Sequence, residues 1–326
     1  MSGASTPRCD RLGAVRPRGS RFSSPRFNGA ASQALDADEF KVMHEARRES
    51  AIQAAAAVAD RLGMTPITPV VLRDSNHTSI HLAPFPVVAR VAASSAGRGA
   101  AALSAELSVA EYLARAGAPI AAPTIDLPPG PHLEKDWGIT LWQFVAHRPA
   151  GERDVIVAAE ALRDIHAALS SYPGQLPSFE TAIDACRDLL HDKTGLPALA
   201  APDKDFLIRE HDRLQQLLTT MALTPIAIHG DPHLGNVLMA SHGPRWTDWE
   251  SACVGPLEWD LSCLPEAALA VVPPVNAQLL AVLRDLRSAC VAVWCWAEPD
   301  RAPEKRRAAE YHLRRLRGRS RAVEAT

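Results

Sequence analysis

The sequence predicts an α+β chain in two parts, a small antiparallel sheet with its helices followed by a larger, mostly helical part. Three observations predict it. Short alternating apolar runs bounded by turn residues cluster between residues 70 and 145. From residue 154 onward, apolar residues recur instead at helical spacing over long stretches. Between these helical stretches, residues 226–250 set polar side chains in Gly- and Pro-containing loops at the ends of short strands.

At 326 residues and 47% hydrophobic, the chain can bury one large or two medium cores. Six cysteines (Cys9, Cys186, Cys253, Cys263, Cys290, Cys295) form no C-x-x-C pair, as expected for reduced thiols of a cytoplasmic protein. Neither a signal-peptide core nor an apolar run of about 18 residues is present, so no membrane association is expected. The net charge of -2 hides an uneven distribution: residues 1–35 carry a net +5, residues 301–326 a net +6, and residues 36–300 about -13. A solvated surface accounts for most of this acidity, and what remains suits a cationic substrate better than a polyanion. The basic ends lack aromatic interleaving, so no nucleic-acid partner is expected.

Taken in order, residues 1–37 are rich in Arg, Ser, Pro and Gly and read as a disordered basic tail. Residues 38–62 read as a helix with Ile52, Ala55, Ala59 and Leu62 on one stripe and Gly63 as its cap. Strands are expected at 70–72, 79–82 and 87–92, then a helix over 101–116 closed by Gly117. Within that helix Glu106 shares a stripe with Leu103, Ala110 and Leu113, and a buried carboxylate needs a cation; Arg90 on the preceding strand is near in sequence. Glu111 and Arg115 have the spacing of an exposed helix pair. Residues 119–131 read as loop with one short strand, and 138–145 as a strand running into the polar segment 147–154. The first lobe therefore spans 38–146 and the second 147–326. Helices are expected over 154–169, 181–191, 204–221 and 266–296, and from residue 303 a basic helix that frays on the surface. His166, on an apolar face, reads as a hydrogen-bonded core histidine.

The chemistry concentrates in Asp231, Asn236 and Asp248. A turn at 241–244 folds the flanking strands into a hairpin that brings Asn236 and Asp248 together, and carboxylate and amide oxygens suit Mg²⁺. Asp231 is then free to accept a proton. The Asp-to-Asn spacing of five matches the catalytic loop of protein kinases.

The string His229-Gly-Asp-Pro-His-Leu-Gly-Asn236, with Thr247-Asp-Trp-Glu250 and Gly255-Pro-Leu-Glu-Trp-Asp260, resembles the aminoglycoside phosphotransferase and choline kinase family over roughly residues 65–300. The resemblance implies a two-lobed protein-kinase-like fold and ATP or GTP as donor with Mg²⁺. It implies that Asp231 orients or deprotonates an acceptor hydroxyl, that Asn236 and Asp248 hold the metal, and that His229 braces the loop. Arg90 stands where the family's nucleotide-phosphate Lys usually is, with Glu106 as its partner. The hinge Gln143, Phe144 and Val145 would contact adenine through its backbone, and the turn at 74–79, with Ser75, Asn76 and Thr78, would cover the phosphates. That turn contains no glycine, a departure from the family along with Arg90.

The implied partner is a small hydroxyl compound, an aminoglycoside, amino sugar or amino alcohol, with Glu250, Trp249 and Glu258 as candidate contacts to its cationic groups, in a monomer or homodimer. Two other readings use the same residues. One is a metal-dependent hydrolase with His229, Asp231 and His233 as ligands. The other is a kinase-fold protein that binds nucleotide or a partner without transfer.

Overall fold

A computed structural model of the chain describes residues 37–93, 98–299 and 303–324. The expected tail at 1–37 lies almost wholly outside them. The first element, α1 (Ala37–Arg61), ends where Gly63 takes φ +77° and the Met64 amide donates back to Ala59. Its buried face is Ala51, Ala54, Ala55, Val58 and Ala59, one step round from the expected stripe, because small side chains let the helix lie close on the sheet.

That sheet has five strands in the order β1-β2-β3-β5-β4: β1 (Thr68–Asp74), β2 (Thr78–Ala83), β3 (Val87–Ala93), β4 (His132–Glu134) and β5 (Trp137–Gln143). β2 alternates, with Thr78, Ile80 and Leu82 inward. β5 is buried on both faces from Trp137 to Trp142, and its one polar side chain there, Thr140, accepts the Trp142 indole N–H at 2.8 Å. On the face away from α1 lies α2 (Arg98–Arg115), whose Leu103 passes so close to Gly138 that a Cβ there would meet its Cδ1 at 2.5 Å. Residues 119–131 hold isolated bridges at Ile120 and Pro123 in place of the expected strand; the short edge strand is β4, just after them.

The second lobe contains β6 (His147–Pro149), α3 (Val155–Leu169), α4 (Glu180–His191), α5 (Ala201–Thr219), β7 (Pro225–Ile228), β8 (Val237–Ala240), β9 (Gly243–Trp246), β10 (Cys253–Pro256), α6 (Leu257–Leu261), α7 (Ala277–Ala297) and α8 (Pro303–Glu324). β8 and β9 form the expected hairpin, with β6 on the other side of β8; β7 pairs with β10. Trp246 of β9 is fully buried and its indole N–H donates to Ala158 of α3, pinning the hairpin to the lobe's core. The basic helix α8 is docked and does not fray along the surface. Ala309 and Leu316 are fully buried against α7, and Arg315 and Arg319 pair with Asp285 at 3.1 and 3.2 Å. No helix among the described residues is long and apolar enough to cross a membrane.

Candidate active site

The loops after β7 and β9 face the sheet of the first lobe across a cavity of about 410 Å³. Asp231 follows β7 after His229 and Gly230. Gly230 between them has φ +87°, and a Cβ on it would meet the Ser251 carbonyl oxygen at 1.9 Å, so only glycine fits. The loop's backbone is held from below by Asp260 of α6, which accepts the amides of His229 and Gly230 at 2.9 and 2.8 Å and receives His166 of α3 at 2.7 Å. Burial opposes ionisation of Asp260, but His166, His229 and the Gly230 amide outweigh it and hold the carboxyl below the usual range. His166 is thus the hydrogen-bonded core histidine expected.

His229 is fully buried; its Nε2 donates to the Thr247 carbonyl at 3.0 Å, tying the Asp231 loop to the residue before Asp248. Burial depresses its pKa, so the ring is neutral at physiological pH. Asn236, also buried, donates from Nδ2 to the Asp231 carbonyl at 3.1 Å, which leaves its amide oxygen as the remaining polar atom. The hairpin register, with Thr247 bonded to the Asn236 carbonyl at 3.0 Å, brings Asn236 next to Asp248. Asp248 sits in the left-handed region at φ 72°, ψ 67°, a conformation an Asp side chain tolerates at a cost of about 1–3 kcal/mol.

Arg90 of β3 joins the two lobes. Its guanidinium donates through one nitrogen to Glu106 of α2 and through the other to Asp248 at 2.6 Å, with Glu250 at 3.6 Å. Burial opposes its charge, yet the three carboxylates raise its pKa further. Burial likewise pushes Glu106 up, to about 7 against the pull of Arg90, so its ionised form depends on that contact. For Asp248 burial works upward too, but Arg90 prevails and keeps the carboxyl below its ordinary value.

Of the remaining expected residues, Ser75, Asn76, Gln143, Phe144 and Val145 line the cavity. Thr78 does not: it is fully buried and its hydroxyl donates to Asp74 at 2.9 Å within its own turn. The hinge amides of Gln143 and Phe144 are bonded to Ala122 and Pro86, each at 2.9 Å. The three candidate acceptor contacts are occupied otherwise. Trp249 is 1% exposed, packed on the His229 ring at 4.5 Å between centroids. Glu258 accepts the Asn276 amide at 2.9 Å, ahead of α7. Glu250 lies across the cavity mouth, 2.8 Å from His77 of the β1–β2 turn. The trio His229, Asp231 and His233 does not form a ligand set, since the His229 Nε2 is spent on the Thr247 carbonyl and its Nδ1 faces the Asp231 amide at 3.4 Å, which leaves only Asp231 and His233.

Arg287 of α7 is the residue sequence reasoning missed. It is buried, stacks at 3.5 Å on Trp259, donates to the Gly230 carbonyl at 2.7 Å, and stands 3.6 Å from the Asp231 carboxylate. Its signal was present: an Arg among Leu283, Leu286 and Cys290 on an apolar face is the same anomaly that exposed Glu106.

A small antiparallel sheet above a helical lobe, with a cleft between them, is the protein-kinase-like fold. A sequence model of the phosphotransferase enzyme family matches residues 68–298, and the chain belongs to that family. Among solved structures it is similar to a choline/ethanolamine kinase family protein from Mesorhizobium loti, 18% identical over 85% of this chain and 94% of that one, with a TM-score of 0.59. It is also similar to the choline kinase LicA from Streptococcus pneumoniae, 13% identical, covering 82% and 99%, TM-score 0.60. A third is the GDP complex of aminoglycoside 2'-phosphotransferase-IIIa, 14% identical, covering 81% and 99%, TM-score 0.61. No curated protein matches the sequence.

Proposed function

We propose that this phosphotransferase moves the γ-phosphate of ATP, or of GTP, to a hydroxyl of a small cationic molecule such as an aminoglycoside, amino sugar or amino alcohol. The observation that carries this is the convergence on one cavity of Asp231, of the Asn236–Asp248 pair, and of Arg90 braced by Glu106. A cavity of about 410 Å³ fits a nucleotide-sized ligand, with Val88 and Leu238 as apolar walls from the two lobes. The donor set fits Mg²⁺: the Asn236 amide oxygen, and the carboxylate oxygen of Asp248 that Arg90 does not hold. The metal, when bound, supplies positive charge at the transferring phosphoryl oxygens.

The chain's own residues do the rest. Asp231 accepts the proton of the acceptor hydroxyl as its oxygen bonds to phosphorus and the bond to the nucleotide breaks. The loop that leads to it is fixed by Asp260 and by His229, and Arg287 lies beside its carboxylate. Arg90 neutralises phosphate charge, its planar fork replacing the point charge of a lysine. Phosphoryl transfer requires little more than such positioning and charge stabilisation. Ser75 and Asn76, at the mouth, would meet the phosphates, and the Val145 amide, which pairs with nothing among the described residues, is free for adenine.

The test is nucleotide consumption against a panel of hydroxylated amines. Asp231→Ala and Asp248→Ala are each expected to lower turnover by about 10²-fold or more. Full activity in either variant overturns the mechanism, and nucleotide binding without transfer to any acceptor would favour the non-catalytic reading.

A further inference from the structure

On the side of the second lobe where α4, α5 and α7 meet, three soft ligands converge in the core. The Sγ atoms of Cys186 and Cys290 and a ring nitrogen of His211 all lie within 4.8 Å of one another, and all three residues are fully buried. Nothing in the phosphoryl-transfer site uses them.

The histidine is held in the orientation a ligand needs. Its Nε2 faces the Ile183 carbonyl at 3.3 Å, which places the ring proton there and leaves the lone pair on Nδ1. That Nδ1 is buried with no hydrogen-bond partner; the nearest carboxylate, Asp212, is 3.9 Å away, beyond hydrogen-bond reach. An unpaired buried acceptor costs about 1–3 kcal/mol unless something satisfies it. Here the nearby atoms available to satisfy it are thiol sulfurs.

We propose that Cys186, His211 and Cys290 form a structural zinc site that cross-links α4, α5 and α7 through these three protein ligands. Zn–S bonds of about 2.3 Å and Zn–N bonds of about 2.0 Å set the ligand atoms about 3.5–4 Å apart. The cluster's upper separation of 4.8 Å is close enough for side-chain rotation to close the difference. On binding, each thiol releases its proton to solvent and each sulfur donates a pair to the metal. Zn²⁺ with two thiolates and a neutral imidazole carries no net charge, which is what an apolar interior tolerates. A monovalent soft ion would leave a buried negative charge. With its ligands sealed in the core, the ion is taken up as the lobe folds.

The experiment uses the full chain expressed in zinc-replete medium, followed by elemental analysis and by refolding with Co²⁺ under reducing conditions. Expected are one zinc per chain and, with cobalt, the near-ultraviolet thiolate-to-metal charge-transfer band. The oxygen and amide donors around Asp248 cannot give that band, so Asp248→Asn retains it, whereas Cys186→Ser and Cys290→Ser lose it. The proposal is overturned if the wild-type protein carries only trace metal and gives no band, if the band survives replacement of both cysteines, or if peptide mapping of the fresh protein finds a Cys186–Cys290 disulfide. Since these readouts on the wild-type chain suffice, poor folding of a variant does not leave the question open.

Discussion

Glu106, His229 and Trp249 show how far a single residue can be understood before its neighbours are known. Glu106 was legible because a carboxylate on an apolar helical stripe demands a cation, and Arg90 of the preceding strand is the one it meets. Trp249 was not, since an aromatic beside an acid reads equally as a binding platform or as core, and only packing on His229 decides for core. His229 itself carries a pH consequence. Its pKa is lowered in the folded protein by burial, so below about 6.5 the unfolded chain binds a proton that the folded one resists. The stability it contributes is complete above that pH and is lost as pH falls through the lower folded-state value. From pH 8 to pH 5 the thermal midpoint of the wild-type protein should therefore fall relative to that of His229→Gln, which cannot titrate, while Glu106, raised to about 7, acts in the opposite sense in both proteins. A constant difference between the two would place the acid sensitivity elsewhere.

At the scale of elements, the strands and helices were readable from periodicity, while the fate of α8 was not. Nine basic residues in 301–326 suggest a solvated helix, but Ala309, Leu313 and Leu316 follow one another at spacings of four and three and form an apolar stripe. Their partner surface is α7, and the acids that meet the arginines, Asp285 on α7 and Asp203 on the far more distant α5, lie outside the helix itself. No local pattern announces such partners. Leu316 is fully buried, so Leu316→Ala should cost about 2–5 kcal/mol in urea unfolding. A loss below about 0.5 kcal/mol would return α8 to the surface role that its charge suggests.

Across the whole molecule, the two lobes meet over the cavity through polar contacts: Arg90 to Asp248, His77 to Glu250, and Arg73 to the Gly235 carbonyl at 3.1 Å. The turn lacking glycine thus reaches the other lobe through its side chains, something its composition could not reveal. Glu250 belongs to this closure, so Glu250→Gln is expected to raise the KM for nucleotide several-fold while leaving the KM for acceptor within about twofold. Steady-state kinetics with each substrate varied in turn would decide, and the reverse pattern would restore Glu250 to the acceptor side. One further dimension of the molecule is set by an atom that is missing. Because Gly230 lets the backbone before Asp231 lie against Ser251, the gap between the loops of Asp231 and Asp248 is fixed by the width of a single hydrogen. Substitutions at the exposed rim of the cleft leave that gap untouched. Any side chain at position 230, by contrast, would have to widen it, because its first carbon would overlap the Ser251 carbonyl.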